Sequence, residues 1–179
     1  MTPLRVSGGE LRGRSLKVPR GSGLRPTTER VREAVFSILG DISGANVLDL
    51  FCGTGALGIE ALSRGAATAT LVDMDTAAAR ANVDVLGLSE RAEVVRRGAI
   101  PYLQELADES FDLVLCDPPY RLADRLAADL GPLIRRSLAE GGRLMVESSP
   151  DQPLELSLPL LTERAYGDTL VRIYGGEQA

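Results

Sequence analysis

From residue 47 onward the chain alternates short apolar runs with amphipathic stretches, and that rhythm leaves few folds open. The runs at 47–51, 70–73, 93–96, 111–116 and 143–147 have the length and composition of buried strands. Between them, 56–62, 76–86 and 122–138 read as helices. The first two stop at Gly65 and Gly87, and the third is broken at Gly131-Pro132. Strand–helix–strand alternation predicts right-handed crossovers and a mainly parallel sheet with helices on both faces, an α/β architecture. The tail adds candidate strands at 154–158 and 169–174 with no helical pattern between them, so an antiparallel hairpin at the sheet edge is expected.

The opening residues read differently. Gly8-Gly9, Gly13 and Gly21-Ser22-Gly23 punctuate short alternating stretches, which suggests a small hairpin or extended arm rather than a core element. Pro26-Thr27-Thr28 then opens a helix whose Val31, Ala34, Val35, Ile38 and Leu39 form one buried stripe. The chain thus divides into an arm and helix over 1–43 and a larger domain over 44–179. Residues 1–32 hold eight basic and two acidic side chains, while the whole chain carries a net charge of −5. A basic arm on an acidic body suits a polyanionic partner, because each phosphate neutralised releases counterions. Arg5, Arg12, Arg14, Lys17, Arg20 and Arg25 are the candidate contacts; the alternative is a solvated, Gly-rich leader with no partner.

The chain contains no histidine, which removes Ser-His and Cys-His nucleophile pairs, His metal ligands and imidazole acid/base chemistry together. Its two cysteines, Cys52 and Cys116, stand far apart in the sequence and form neither a metal knuckle nor a disulfide framework. No apolar stretch reaches the ~18 residues of a membrane span and no secretory leader is visible. A cytoplasmic, metal-free, monomeric protein is expected. Its chemistry falls to carboxylates, backbone groups, hydroxyls or a cofactor.

Residues 53–58, Gly53-Thr54-Gly55-Ala56-Leu57-Gly58, have GxGxxG spacing between a strand and a helix, where glycines let backbone approach a ligand closely. Asp73 ends the next strand, the place of a carboxylate that accepts from a ribose diol. Asp75 could compete, but it is better placed to cap the following helix. A bare tight turn remains the alternative to a nucleoside cofactor. Asp49 stands just before the loop, where it would repel a pyrophosphate and suit an ammonium group. That charge logic favours S-adenosylmethionine over a nicotinamide dinucleotide.

The fourth strand ends in Asp117-Pro118-Pro119-Tyr120. Two prolines fix φ and donate nothing, so the turn presents acceptors only: the Asp117 carboxylate and backbone carbonyls. An exocyclic amine, whose two hydrogens need acceptors, matches that set. Tyr120 supplies a face on which a splayed base can stack. A capping Asp on a stiff turn is the plainer alternative.

With the Asp49–Gly58 loop, Asp73 and this turn, the chain resembles the amino-methylating class I S-adenosylmethionine-dependent methyltransferases. The stretch from Arg25 to Glu33, the Gly9-Glu10-Leu11-Arg12-Gly13-Arg14 run, Glu60-Ala61-Leu62-Ser63-Arg64-Gly65-Ala66 and Tyr166-Gly167-Asp168-Thr169 are similar to the RsmD family of bacterial 16S ribosomal RNA (guanine-N2)-methyltransferases. The resemblance implies a Rossmann-like, seven-stranded sheet with an antiparallel last strand. It places Asp49, Gly53, Thr54 and Gly55 along the methionine part of S-adenosylmethionine, Asp73 at its ribose, and Met74, Ala99 and Thr27 in the rest of the cofactor site. Asp117 and the Pro118 carbonyl would hold the guanine amine, Pro119 would stiffen the turn and Tyr120 would pack on the base, with the arm on 16S ribosomal RNA within a small-subunit particle. In one departure, Gly98-Ala99 replaces the acidic residue that the family usually sets against the adenine amine. The rival enzyme is an adenine-N6 methyltransferase of DNA or RNA, since the same turn serves that amine. A C5-pyrimidine methyltransferase would need a nucleophilic Cys, and Cys116 ends an apolar strand. A non-catalytic RNA-binding scaffold and a nicotinamide oxidoreductase are the remaining alternatives.

Overall fold

The structure is a computed structural model that describes residues 4–18, 28–119 and 123–175, with backbone only for 123–127. Helix α1 (Glu29–Leu39) starts at Thr28, whose hydroxyl accepts the Val31 N–H, and stops at Gly40. Strands β1 (Asn46–Leu50), β2 (Thr68–Asp73), β3 (Ala92–Arg96) and β4 (Phe111–Cys116) then alternate with helices α2 (Ala56–Ser63), α3 (Ala77–Leu86) and α4 (Ala99–Glu105). Helix α5 (Ala123–Ser137) leads into β5 (Leu138–Ser148), and β6 (Leu160–Tyr166) and β7 (Thr169–Gly175) close the chain.

These form one seven-stranded sheet in the order β3-β2-β1-β4-β5-β7-β6. β1 to β5 are parallel, and β7 runs antiparallel between β5 and β6. The fold is the expected class I methyltransferase arrangement. Chain order reverses between β1 and β4, so their carboxyl ends flank the crevice where such sheets bind ligands. Strand alternation divides the core in two. Val47, Leu113 and Leu115 face one layer with α1, α2 and α3 residues; Leu48, Leu50, Val114 and Cys116 face the other with Leu103, Leu130 and Ile134.

Three expectations are corrected, and one helix is added. The N-terminal hairpin is part of the core, because Val6 and Leu16 are buried in the first layer. Helix α5 runs unbroken through Gly131 and Pro132. Leu130, Gly131 and Ile134 are buried, and that packing outweighs the hydrogen bond lost at the proline. Residues 154–158 are not a strand: β7's free edge pairs instead with Leu160–Tyr166, in a register that sets Arg164 opposite Val171. Helix α4, which the sequence did not signal, covers the second layer with Ala99 and Leu103. Among the described residues, no helix is long and apolar enough to cross a membrane.

Candidate active site

Asp49 occupies the middle of the sheet's crevice end. It sits one residue from the end of β1, on the face that α2 covers, and is 1% exposed. Its Oδ2 accepts the Gly58 N–H at 2.9 Å, while Oδ1 has no hydrogen-bond partner among the described residues. Burial pushes its pKa up to about 7; the Gly58 bond opposes that rise and the charge of Asp73 adds to it. A buried carboxylate oxygen without a partner is costly, and a cation placed against it removes the cost.

The glycine loop brings backbone to the same place. Phe51, Gly53 and Gly55 all have positive φ (60°, 52° and 77°), so the chain folds sharply between β1 and α2. A Cβ at Gly55 would stand 2.6 Å from Leu71 Cδ2, and one at Gly58 would stand 3.1 Å from Asp49 Oδ2. Side chains there would push α2 off the strands. Asp73, half-buried at the end of β2, steadies the loop: its Oδ2 accepts the Gly53 N–H at 2.8 Å and its Oδ1 the Asp75 N–H at 3.1 Å. Each oxygen keeps a second lone pair, enough for a diol. Asp75 accepts the Ala77 N–H at 3.2 Å but precedes the actual cap position, Thr76. Met74 is 68% exposed beside Gly98, which caps α4, and Ala99 is buried behind them. A buried carboxyl with an unpartnered oxygen, a close-approach loop, a diol acceptor and an exposed thioether together fit a cationic nucleoside.

The proline turn adjoins this crevice. Cys116 pairs with Leu50 in the ladder, and the Asp117 N–H reaches the Leu50 carbonyl at 3.5 Å. Asp117 is half-buried, Pro118 buried and Pro119 exposed. Tyr120, Thr27, Arg20 and Arg25 lie outside the described residues. Cys52 and Cys116 are both buried, and burial pushes their thiols up, Asp49 adding to the shift in each; neither has the character of a nucleophile.

The arm is a hairpin closed by Val6 N–H to the Arg14 carbonyl and Leu16 N–H to the Leu4 carbonyl, at 3.0 and 2.8 Å. It displays Arg5, Arg12, Arg14 and Lys17 as exposed side chains, none ion-paired among the described residues. By contrast Arg64, Arg91, Arg97, Arg136 and Arg172 are all engaged with carboxylates. Glu60 and Asn82, both unassigned from the sequence, help to hold the hairpin down. Glu60, fully buried on α2, accepts the Ser7 N–H (2.8 Å), the Ser7 hydroxyl (2.7 Å), the Gly8 N–H (2.8 Å) and Arg64 Nε (2.9 Å), with Arg32 Nε at 3.7 Å. Desolvation lowers the Arg32 pKa, and Glu60 offsets part of that. Asn82, buried on α3, is the other anchor. A lone Glu in the apolar helix Ala56–Ser63 was the available signal for the first; nothing in the sequence distinguished the second. A polar cavity of about 280 Å³ lies at the opposite, amino ends of β4 and β5, lined by Asp41, Asp112, Glu140 and Arg143; its acidic rim does not suit a polyanion.

Residues 4–175 match the family described as conserved hypothetical protein 95. Ribosomal RNA small subunit methyltransferase D of Escherichia coli is 39% identical over 97% of this chain and 90% of its own length. The protein of that name from Haemophilus influenzae is 34% identical over 96% and 93%. The chain belongs to the RsmD family. Family membership extends to three dimensions: the solved structure of Escherichia coli yhhF superposes with a TM-score of 0.83, at 38% identity and 99% coverage of both chains. An RNA methyltransferase of Salinibacter ruber, solved with S-adenosyl-L-homocysteine, shares the fold at a TM-score of 0.67, with 17% identity over 86% of this chain and 95% of its own.

Proposed function

We propose that this member of the RsmD family transfers the methyl group of S-adenosylmethionine to the exocyclic N2 of a guanine in 16S ribosomal RNA. The carrying observation is the ladder pair Leu50 and Cys116, which sets the Asp49 loop and the Asp117-Pro118-Pro119 turn on adjacent strand ends. When bound, S-adenosylmethionine supplies a methyl group already activated by positive sulfur. The Asp49 carboxylate then faces the ammonium, the Gly53–Gly55 backbone lies along the methionine portion, and Asp73 accepts from the ribose. Met74 lies beside the base, with Ala99 and the Gly98 backbone replacing an acidic contact. Asp117 and the Pro118 carbonyl accept the two amine hydrogens and hold the nitrogen lone pair outward. The same acceptors stabilise positive charge that develops on that nitrogen. Orientation of this kind is worth roughly 7–11 kcal/mol in well-aligned reactions.

The exposed basic residues of the hairpin support RNA as the partner, and a base lifted from its stack is the form a crevice of this kind can take. A monomer acting on a small-subunit particle in the cytoplasm completes the reading. Labelled-methyl transfer onto small subunits from cells lacking the gene, followed by nucleoside analysis, tests it. N2-methylguanosine is the expected product; N6-methyladenine would transfer the assignment to the rival amine.

A further inference from the structure

Asn82 lies on α3, outside the crevice, yet its side chain joins the two halves of the proposed machinery. Its Nδ2 donates to the Thr54 carbonyl at 2.9 Å, inside the glycine loop, and to the Lys17 carbonyl at 3.1 Å, in the basic hairpin. Its Oδ1 accepts the Lys17 N–H at 2.7 Å. All three partners are main-chain groups, so the amide fixes backbone positions rather than side-chain choices. Asn82 is 2% exposed, and bonds so shielded from water hold geometry more firmly than exposed ones. Glu60 also grips the hairpin, but at Ser7 and Gly8, with no contact to the glycine loop. One amide therefore bridges the loop assigned to the cofactor and the strand assigned to RNA.

We propose that Asn82 is a positioning residue that couples cofactor binding to RNA binding: occupancy of the glycine loop fixes Thr54, and through Asn82 fixes the hairpin at Lys17. The inference rests on the methyltransferase reading above. Linkage requires the effect to be reciprocal, so RNA must tighten the cofactor by the factor by which cofactor tightens RNA.

The test titrates S-adenosylhomocysteine into the full-length protein, alone and with saturating small subunits from cells lacking the gene. In the wild type the subunits should lower the dissociation constant by about fivefold or more, the lower end of usual site-to-site coupling. Asn82→Asp keeps the volume and the acceptor for Lys17 but loses the donors; its ratio should fall to near one. Arg12→Ala with Arg14→Ala should weaken the subunit interaction while the ratio at saturation persists. A merely structural role for Asn82 would lower the melting temperature and leave the ratio alone. An unchanged ratio in a folded Asn82→Asp protein, or a wild-type ratio of one, overturns the coupling. Absence of any S-adenosylhomocysteine binding by the wild type overturns the methyltransferase reading itself, so the two failures are distinct. Hydrogen exchange on the wild type guards against a variant that does not fold. S-adenosylhomocysteine should slow exchange of the Lys17 N–H, and an unaltered rate refutes the link.

Discussion

Replacing Asp49 by asparagine should make the protein more stable, by an amount that depends on pH. The carboxyl holds its proton up to about pH 7 in the folded chain, against an ordinary aspartate value of about 3.9. Between those two values the folded state binds a proton that the unfolded state has released. Stability from this group is therefore complete below about pH 4, falls by about 1.4 kcal/mol per pH unit, and levels off above pH 7. The full loss is roughly 4 kcal/mol. Asparagine has nearly the same shape, keeps an oxygen for the Gly58 N–H and cannot ionise. In urea unfolding, the advantage of Asp49→Asn over wild type should grow by roughly 3 kcal/mol between about pH 5 and pH 8. In melting temperature that is about 6–12 °C for a chain of this size. Excess S-adenosylmethionine should flatten the wild-type slope, since its ammonium takes the place of the proton. The variant should bind it poorly. A stability difference that stays constant across the pH range would refute the reasoning, because it would mean that Asp49 is already an anion in the folded protein.

Asp117→Ala should lower turnover about 10²–10³-fold, the usual effect of losing one transition-state hydrogen-bonding group, while calorimetry shows cofactor affinity nearly intact. Neutralising Arg12 and Arg14 together should reduce the slope of log affinity against log salt by roughly 1.4–1.8, measured with a ribosomal RNA fragment. Glu60→Gln takes one buried carboxylate charge from beside buried Arg32 and should cost about 3–5 kcal/mol in urea unfolding. Gly9→Ala sets a Cβ 1.8 Å from the Ser63 carbonyl oxygen at a φ of +75°, so it should lower the melting temperature and loosen the hairpin, with amide exchange at Glu10 as the readout.

What could be read from the sequence was what is local. The β1–glycine-loop–α2 unit, Asp73 at the end of β2 and the Asp117-Pro118-Pro119 segment after β4 each depend on residues within a few positions of one another, and all of them lie at the carboxyl ends of β1, β2 and β4. The errors arose where distant packing decides. Leu154 and Leu156 alternate with polar residues as a strand would, but their burial comes from contact with the second layer rather than from a ladder. Pro132 looks like a helix end until Leu130 and Ile134 are seen to be buried on either side of it. Helix α4 is only seven residues long, with a proline in its first turn, and offers too short a period to detect. Asn82 was invisible because its partners are main-chain groups 28 and 65 positions away, and side-chain identities carry no trace of them.

The depth at which Val6, Leu16 and Glu60 lock the N-terminal hairpin into the body has a practical outcome for anyone who would re-engineer this enzyme's target. The leading segment is no detachable handle. Trimming it would open a hole in the interior and strand a carboxylate there, and grafting another in its stead would require α2 and α3 to travel with it. Changes to the hairpin fit best at its exposed side chains, Arg5, Arg12, Arg14 and Lys17, which leave the buried anchors in place.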